Sequence, residues 1–192
     1  GNRRPCNPTR LIRGERDMDR ATAADQLLKI KSYEKGYVAM LLMRTGMELG
    51  LFAAINAHPE GVTVPELAEE LKLHEAYLYV WCTTAYHFEL LDCLQGDRLV
   101  LQPGLDEVLV HRHSPRNYEG NIKLTVDFLS KDMGQFHHYM RTGETLAYQE
   151  HDASLSEVVA DSTRNLYLVF KDVIIPRVEG MQEDLVRGAE VL

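Results

Sequence analysis

The sequence predicts a mainly α-helical chain that carries a winged helix-turn-helix and then a run of connector helices. Two observations predict it. Residues 61–101, GVTVPELAEELKLHEAYLYVWCTTAYHFELLDCLQGDRLVL, read in order as a short strand, a helix, a tight turn, a second helix and a two-stranded hairpin. Beyond them, apolar residues return at helical steps as far as residue 187, and a strand pattern comes back only in the last five residues.

Taken in order, the first 19 residues (GNRRPCNPTRLIRGERDMD) hold two prolines and five arginines with almost no apolar periodicity, which predicts a disordered leader. Met18 reads as the natural start. From Ala21 the chain turns helical, with Leu27, Leu28 and Ile30 as a first apolar set and a break or kink expected at Gly36. Tyr37 to Ala57 is expected as the next helix. Its first two turns, YVAMLLM, are apolar all round, which predicts burial on every side. Gly46 and Gly50 bare one face for close helix approach. A second copy of the chain is the expected cover, so residues 37–57 predict a homodimer; later helices of the same chain are the alternative.

In the winged segment, Thr63 can cap a helix whose first turn holds Pro65. Val64, Leu67, Ala68 and Leu71 then share one face. After a turn at Leu73-His74, a longer helix places Leu78, Trp81, Ala85 and Phe88 in its apolar stripe. Leu90–Leu94 and Arg98–Leu101 are short apolar runs, and Gly96-Asp97 between them suits the positive φ of a hairpin turn.

Leu105, Val108 and Leu109 predict one short helix, and HRHSPRNYEG a loop. A long helix is expected from Tyr118 to Met140, because Ile122, Val126, Leu129, Met133, Phe136 and Met140 recur at steps of four and three. Thr142-Gly143-Glu144 closes it. Ser154 is expected to cap the following helix in a capping box with Glu157, and Leu155, Val158, Ser162, Leu166, Val169 and Val173 form its stripe. Pro176 forces a break, and a short helix leads to Gly188.

The chain of 192 residues has 21 Lys and Arg against 29 Asp and Glu, a formal charge of −8. Six arginines and three acids fall in the first 20 residues, so the remainder carries 15 basic and 26 acidic groups, a net of −11. Such a body repels nucleic acid and anionic lipid. The most apolar run, YVAMLLM, falls far short of the ~20 residues of a membrane span. Cys6, Cys82 and Cys93 form no CxxC pair and support neither a zinc site nor a disulfide framework; with no secretory signal, a reducing cytoplasm is expected.

A winged helix raises the question of DNA. Base readout draws mainly on Arg, Lys, Asn and Gln, and phosphate contact on Lys and Arg. Residues 74–91, where a recognition helix would lie, contain none of the four and carry Glu75 and Glu89 instead. The wing tip adds only Arg98. The helix is suited to protein contacts rather than to a groove.

The C-terminal stretch is the most telling. Ile175-Pro176-Arg177-Val178-Glu179-Gly180-Met181, then Leu185 and Gly188-Ala189-Glu190-Val191-Leu192, follows the winged helix at a spacing that resembles the N-terminal region of class I S-adenosylmethionine-dependent methyltransferases. Those proteins place a winged-helix dimerisation domain and connecting helices before a Rossmann-like catalytic domain. The resemblance covers nearly all of residues 21–192. Beyond the leader (1–19) it implies a winged-helix dimerisation domain (20–110), a helical connector and substrate lid (111–187) and the stub of a first Rossmann strand (188–192). It further implies a parent protein that continues into the catalytic domain and uses S-adenosylmethionine to methylate a small-molecule acceptor. The family's glycine-rich D-x-G-x-G loop is not in this sequence: no two of its 13 glycines are separated by a single residue. This stretch is therefore expected to bind no cofactor and to be inactive alone. A winged-helix transcriptional regulator and a non-catalytic interaction module are the competing readings.

In the resembled family the connecting helices roof the acceptor site, which implies Phe128, Met133, Phe136, His137 and Met140 as pocket candidates, with His137 one residue off the apolar stripe. Tyr33 and Tyr37 are further candidates. The competing reading of the stripe is core or dimer packing. The eight histidines, including His111, His113, His137 and His138, show no metal-ligand spacing. Ser114 and Ser130 lack any nucleophile motif. No catalytic, cofactor-binding or metal-ligating residue is expected here.

Overall fold

The computed structural model describes residues 22–146 and 150–188, so the expected leader and all but Gly188 of the expected strand stub lie outside the described residues. Contacts divide the chain into two units, one ending at Tyr37 and the other beginning at Val38.

In the first unit, helix α1 (Ala23–Glu48) begins. Thr22 and Asp25 cap it reciprocally: the Thr22 amide donates to the Asp25 carboxylate at 2.8 Å, and the Asp25 amide donates to Thr22 Oγ1 at 3.2 Å. The Thr22 hydroxyl, donating to the same carboxylate at 2.7 Å, and the Thr22 amide together hold the Asp25 carboxyl below the usual carboxylate range. α1 runs straight through Gly36, where a break had been expected. A glycine inside a helix costs only about 1 kcal/mol relative to Ala, which a long helix absorbs. The break falls instead after Glu48, where Gly50 turns to φ 70° and starts α2 (Leu51–Asn56). The expected helix of residues 37–57 is therefore the end of one helix and the whole of the next.

In the second unit, the core is the predicted helix–turn–helix–hairpin. Thr63 caps α3 (Val64–Leu71) in a full capping box with Glu66, and Pro65 lies in the first turn. Lys72 ends α3 in the left-handed region, and α4 (Glu75–His87) follows. Strands β1 (Leu91–Leu94) and β2 (Arg98–Leu101) pair antiparallel in the register Leu91↔Leu101 to Leu94↔Arg98. Gly96 and Asp97 at the tip both have positive φ. Val62 bridges Leu99, so the short strand expected near residue 61 is a single rung on the hairpin's other edge.

Leu51, Phe52 and Ile55 of α2, Leu67 of α3, Leu78, Trp81 and Ala85 of α4, and Leu91 and Leu99 of the hairpin close over one another as the core. Each large side chain so buried contributes roughly 1.5–3 kcal/mol. Gly46 is what lets α1 join: a Cβ there would stand 2.4 Å from Trp81 Cζ2 and 2.7 Å from Phe52 Cε2. The Trp81 indole donates to the Leu42 carbonyl at 3.1 Å and meets Phe52 edge-on. The close approach expected at Gly46 is thus made by α4 of the same chain. The expectation of burial on every side of residues 37–43 does not hold within the single chain, because Val38 and Leu41 stay exposed.

After α5 (Leu105–Leu109) and a loop, helix α6 (Glu119–Lys123) passes through a π-helical stretch at Leu124–Leu129 into α7 (Ser130–Thr142). The path is continuous, as expected, but its hydrogen-bond pattern is not regular. The widened turn shifts the phase of the helix. Of the predicted stripe, Ile122 is buried, while Leu129, Met133, Phe136 and Met140 face outward. Asp127 within the π stretch accepts from Arg44 Nε at 2.8 and 3.0 Å, tying it to the second half of α1.

Helix α8 (Ser154–Val169) crosses α6 at Gly120, which belongs to α6 rather than to the expected loop. The expected Ser154 cap is not made. Asp152 caps instead, accepting from the Ser154 amide at 2.8 Å, and its carboxyl is lowered by that bond. Of α8's predicted stripe, Leu155 and Ser162 are buried and Leu166 is exposed. A second π turn at Phe170–Ile174 and a short 3₁₀ turn at Ile175–Arg177 hold the predicted break at Pro176. Helix α9 (Met181–Val186) leads to Gly188.

Candidate functional site

The capping and core residues of the second unit fix α4 rigidly, and its two outer stripes differ in chemistry. On one side, an apolar groove of about 340 Å³ lies between the second half of α1 and α4. Leu42, Thr45 and Leu49 form one bank, Tyr77, Val80 and Thr84 the other, with Trp81 between. Tyr77 and Val80 are among the most exposed apolar side chains of the unit. Val38 and Leu41, close to Leu42 along α1, are exposed as well.

α4 carries no Lys or Arg to pair with a phosphate backbone. Arg98, the hairpin's cation, donates through Nη1 to the Gly61 carbonyl at 2.7 Å and reaches Glu66 through Nη2 at 3.3 Å, so it braces the hairpin against α3. That pairing and the Thr63 amide bond hold the Glu66 carboxyl below its ordinary range, the amide bond having the larger effect.

The connector holds most of the pocket candidates. Phe128, in the π stretch, is half-buried, with its ring centroid 6.4 Å from that of His151 and Lys131 Nζ 6.0 Å away. His151 Nε2 stands 3.0 and 3.1 Å from the two carboxylate oxygens of Asp132. Sequence reasoning missed this His–carboxylate pair, because the 19-residue separation follows no helical period or motif. Met133, Phe136, His137 and Met140 form an exposed strip on α7, at spacings that share one helix face. His137 Nδ1 lies 3.0 Å from the Gly134 carbonyl, a local contact that directs the ring along its own helix. Tyr33 and Tyr37 belong to the first unit, where both are exposed. The structure therefore joins Phe128 to Asp132 and His151, and leaves the α7 candidates together but uncovered.

Cys82 is buried on α4, and burial pushes its thiol up to about 12, which keeps it an inert core side chain. Among the described residues, no three His, Cys, Asp or Glu side chains come together as a metal site, and no helix is long and apolar enough to cross a membrane.

No sequence-family model and no curated protein sequence matches the chain. Solved structures do. The N,N-8-amino-8-demethyl-D-riboflavin dimethyltransferase RosA from Streptomyces davawensis shares the fold at a TM-score of 0.61 and 18% identity, over 79% of this chain and 46% of its own. Human N-acetylserotonin methyltransferase, solved with S-adenosylmethionine, matches at 0.63 and 13%, over 84% and 51%. The mitomycin 7-O-methyltransferase MmcR matches at 0.62 and 19%, over 82% and 49%. The fold is that of the N-terminal region of such methyltransferases, and the chain spans about half the length of the structures it matches.

Proposed function

We propose that this chain is the dimerisation and substrate-lid region of an S-adenosylmethionine-dependent methyltransferase acting on a small-molecule acceptor. The observation that carries the reading is the shared fold: 79–84% of this chain superposes on about half of three small-molecule methyltransferases. In this reading residues 20–110 are a winged-helix dimerisation domain and residues 111–187 a connector that roofs the acceptor. The groove between α1 and α4, with Val38 and Leu41 beside it, is the face that a second copy covers. Residues 188–192 open the first strand of the catalytic domain, and the protein works in the cytoplasm.

S-adenosylmethionine supplies the methyl group in such a reaction. This chain's part is to hold the acceptor, with Phe128, Met133, Phe136 and Met140 giving apolar surface and His137 or His151 a polar contact. Positioning of this kind can supply a large share of rate acceleration, because the transfer needs the acceptor atom in line with the departing group.

Sedimentation and calorimetry test the reading together. The 192-residue chain is expected to sediment as a dimer that Val80→Glu dissociates, and to give no heat with S-adenosylmethionine. A monomer at high concentration would overturn the dimerisation role, and measurable cofactor binding would overturn the assignment of cofactor binding to a separate domain.

A further inference from the structure

The second outer stripe of α4 faces the hairpin, away from the apolar groove. Between them lies an open groove of about 700 Å³. Its floor is apolar, formed by Cys82 and Leu99, both buried. Its walls carry two exposed tyrosines, Tyr79 and Tyr86, and its two charged residues are Glu75 and Asp97, both carboxylates. Among the described residues neither carboxylate has an ion-pair partner, and the nearby Arg98 is committed to Gly61 and Glu66. Negative potential therefore gathers over an aromatic-walled cleft with no cation of its own.

We propose that this groove is a docking site for an arginine-bearing segment of a partner protein. A guanidinium is planar, stacks on tyrosine faces and pairs with carboxylates through a fork of donors, so both wall chemistries favour it over other side chains. The apolar floor takes the side chain's methylene stem. The segment docks by side chains rather than by adding a strand, since the Cys93 amide on β1 already donates to its own neighbour's Asp92 carboxylate at 2.8 Å. Phosphate-bearing partners are repelled by the same two carboxylates. The site is independent of the methyltransferase reading and uses a different stripe of α4 from the proposed dimer face.

The test is titration of the 15N-labelled 192-residue chain with an acetylated, amidated peptide alternating Arg and Gly, with Lys–Gly and Glu–Gly peptides alongside. The expected result is shift changes confined to residues 63–65, 75–86 and 93–99, with arginine binding tighter than lysine and glutamate not binding. Glu75→Gln with Asp97→Asn should weaken the arginine peptide about fivefold, and Tyr79→Leu about threefold. Asp92→Asn, an exposed carboxylate outside the groove, should leave binding unchanged. All four changes are at exposed positions, and circular dichroism checks that each variant folds. Shifts scattered over the acidic surface, or equal binding by the double variant, would overturn the proposal as general charge attraction. Free guanidinium binding as tightly as the peptide would overturn it in favour of a small-cation site. Concentration-dependent broadening without peptide at residues 63–65 and 93–99, which lie outside the proposed dimer face, would overturn it in favour of self-association.

Discussion

Replacing Gly120 by Ala tests the packing that sets the connector. A Cβ built on Gly120 stands 2.4 Å from the Asp161 carbonyl carbon and the Ser162 nitrogen, and 2.7 Å from the Asp161 oxygen. Ordinary contact begins near 3.4 Å, so α6 and α8 must part by roughly 1 Å. The obstruction is backbone, which cannot rotate aside as a side-chain tip can. Overpacking of this kind costs about 1–3 kcal/mol, and the helix propensity gained over glycine returns up to about 1 kcal/mol. The net expectation is a loss of about 1–2 kcal/mol, or roughly 3–8 °C in melting temperature for a chain of this size. Gly134 provides the control, because it lies inside α7 with nothing within 4 Å of its virtual Cβ. Gly134→Ala should stabilise by about 0.4–1 kcal/mol. Paired denaturant titrations of the two variants measure both. If Gly120→Ala stabilised as much as Gly134→Ala, the α6–α8 crossing described here would be wrong.

Three further outcomes follow from the local chemistry. Thr63→Ala removes the capping box of α3 and should cost about 1 kcal/mol in urea unfolding; an unchanged midpoint would show that the box contributes nothing. The carboxyls of Asp25, Glu48, Glu66 and Asp152 are all held below their ordinary values by hydrogen bonds to Thr22, Arg44, Thr63 and Ser154 respectively. The unfolded chain then binds protons before the folded one, so stability is full above about pH 5 and falls as acid carries the pH down through the ordinary and then the depressed values; thermal melts that stayed level from neutral into acid would contradict this. Iodoacetamide at mildly alkaline pH should label exposed Cys93 and spare Cys82 until the chain is unfolded, as peptide mass mapping can show; equal labelling of both would refute the burial of Cys82.

The helix–turn–helix–hairpin segment is legible in the sequence because its signals are local. Thr63 and Pro65, the α4 stripe of Leu78, Trp81 and Ala85, and the Gly96-Asp97 turn each act within a few residues, and the structure uses all of them. The errors came where a long-range contact or a backbone irregularity decides. Gly36 looked like a break, but no neighbour enforces one, and α1 continues. The stripe from Ile122 to Met140 reads as a buried seam only if the helix is regular. The π stretch at Leu124–Leu129, tied to Arg44 through Asp127, turns the later residues outward. Gly120 looked like a loop residue because its role appears only when α8, some forty residues later, lies against it. Met133, Phe136, His137 and Met140 share one face of α7, which helical spacing alone shows; the pairing of His151 with Asp132 has no such signal, because only the tertiary path brings them together.

The proposed function makes these residues part of a larger methyltransferase. The most direct measurement is the intact mass of the native protein from its source cells. The account predicts a mass greater than that of these 192 residues by roughly one domain, about 150 residues or more. A native mass equal to that of this chain would contradict it.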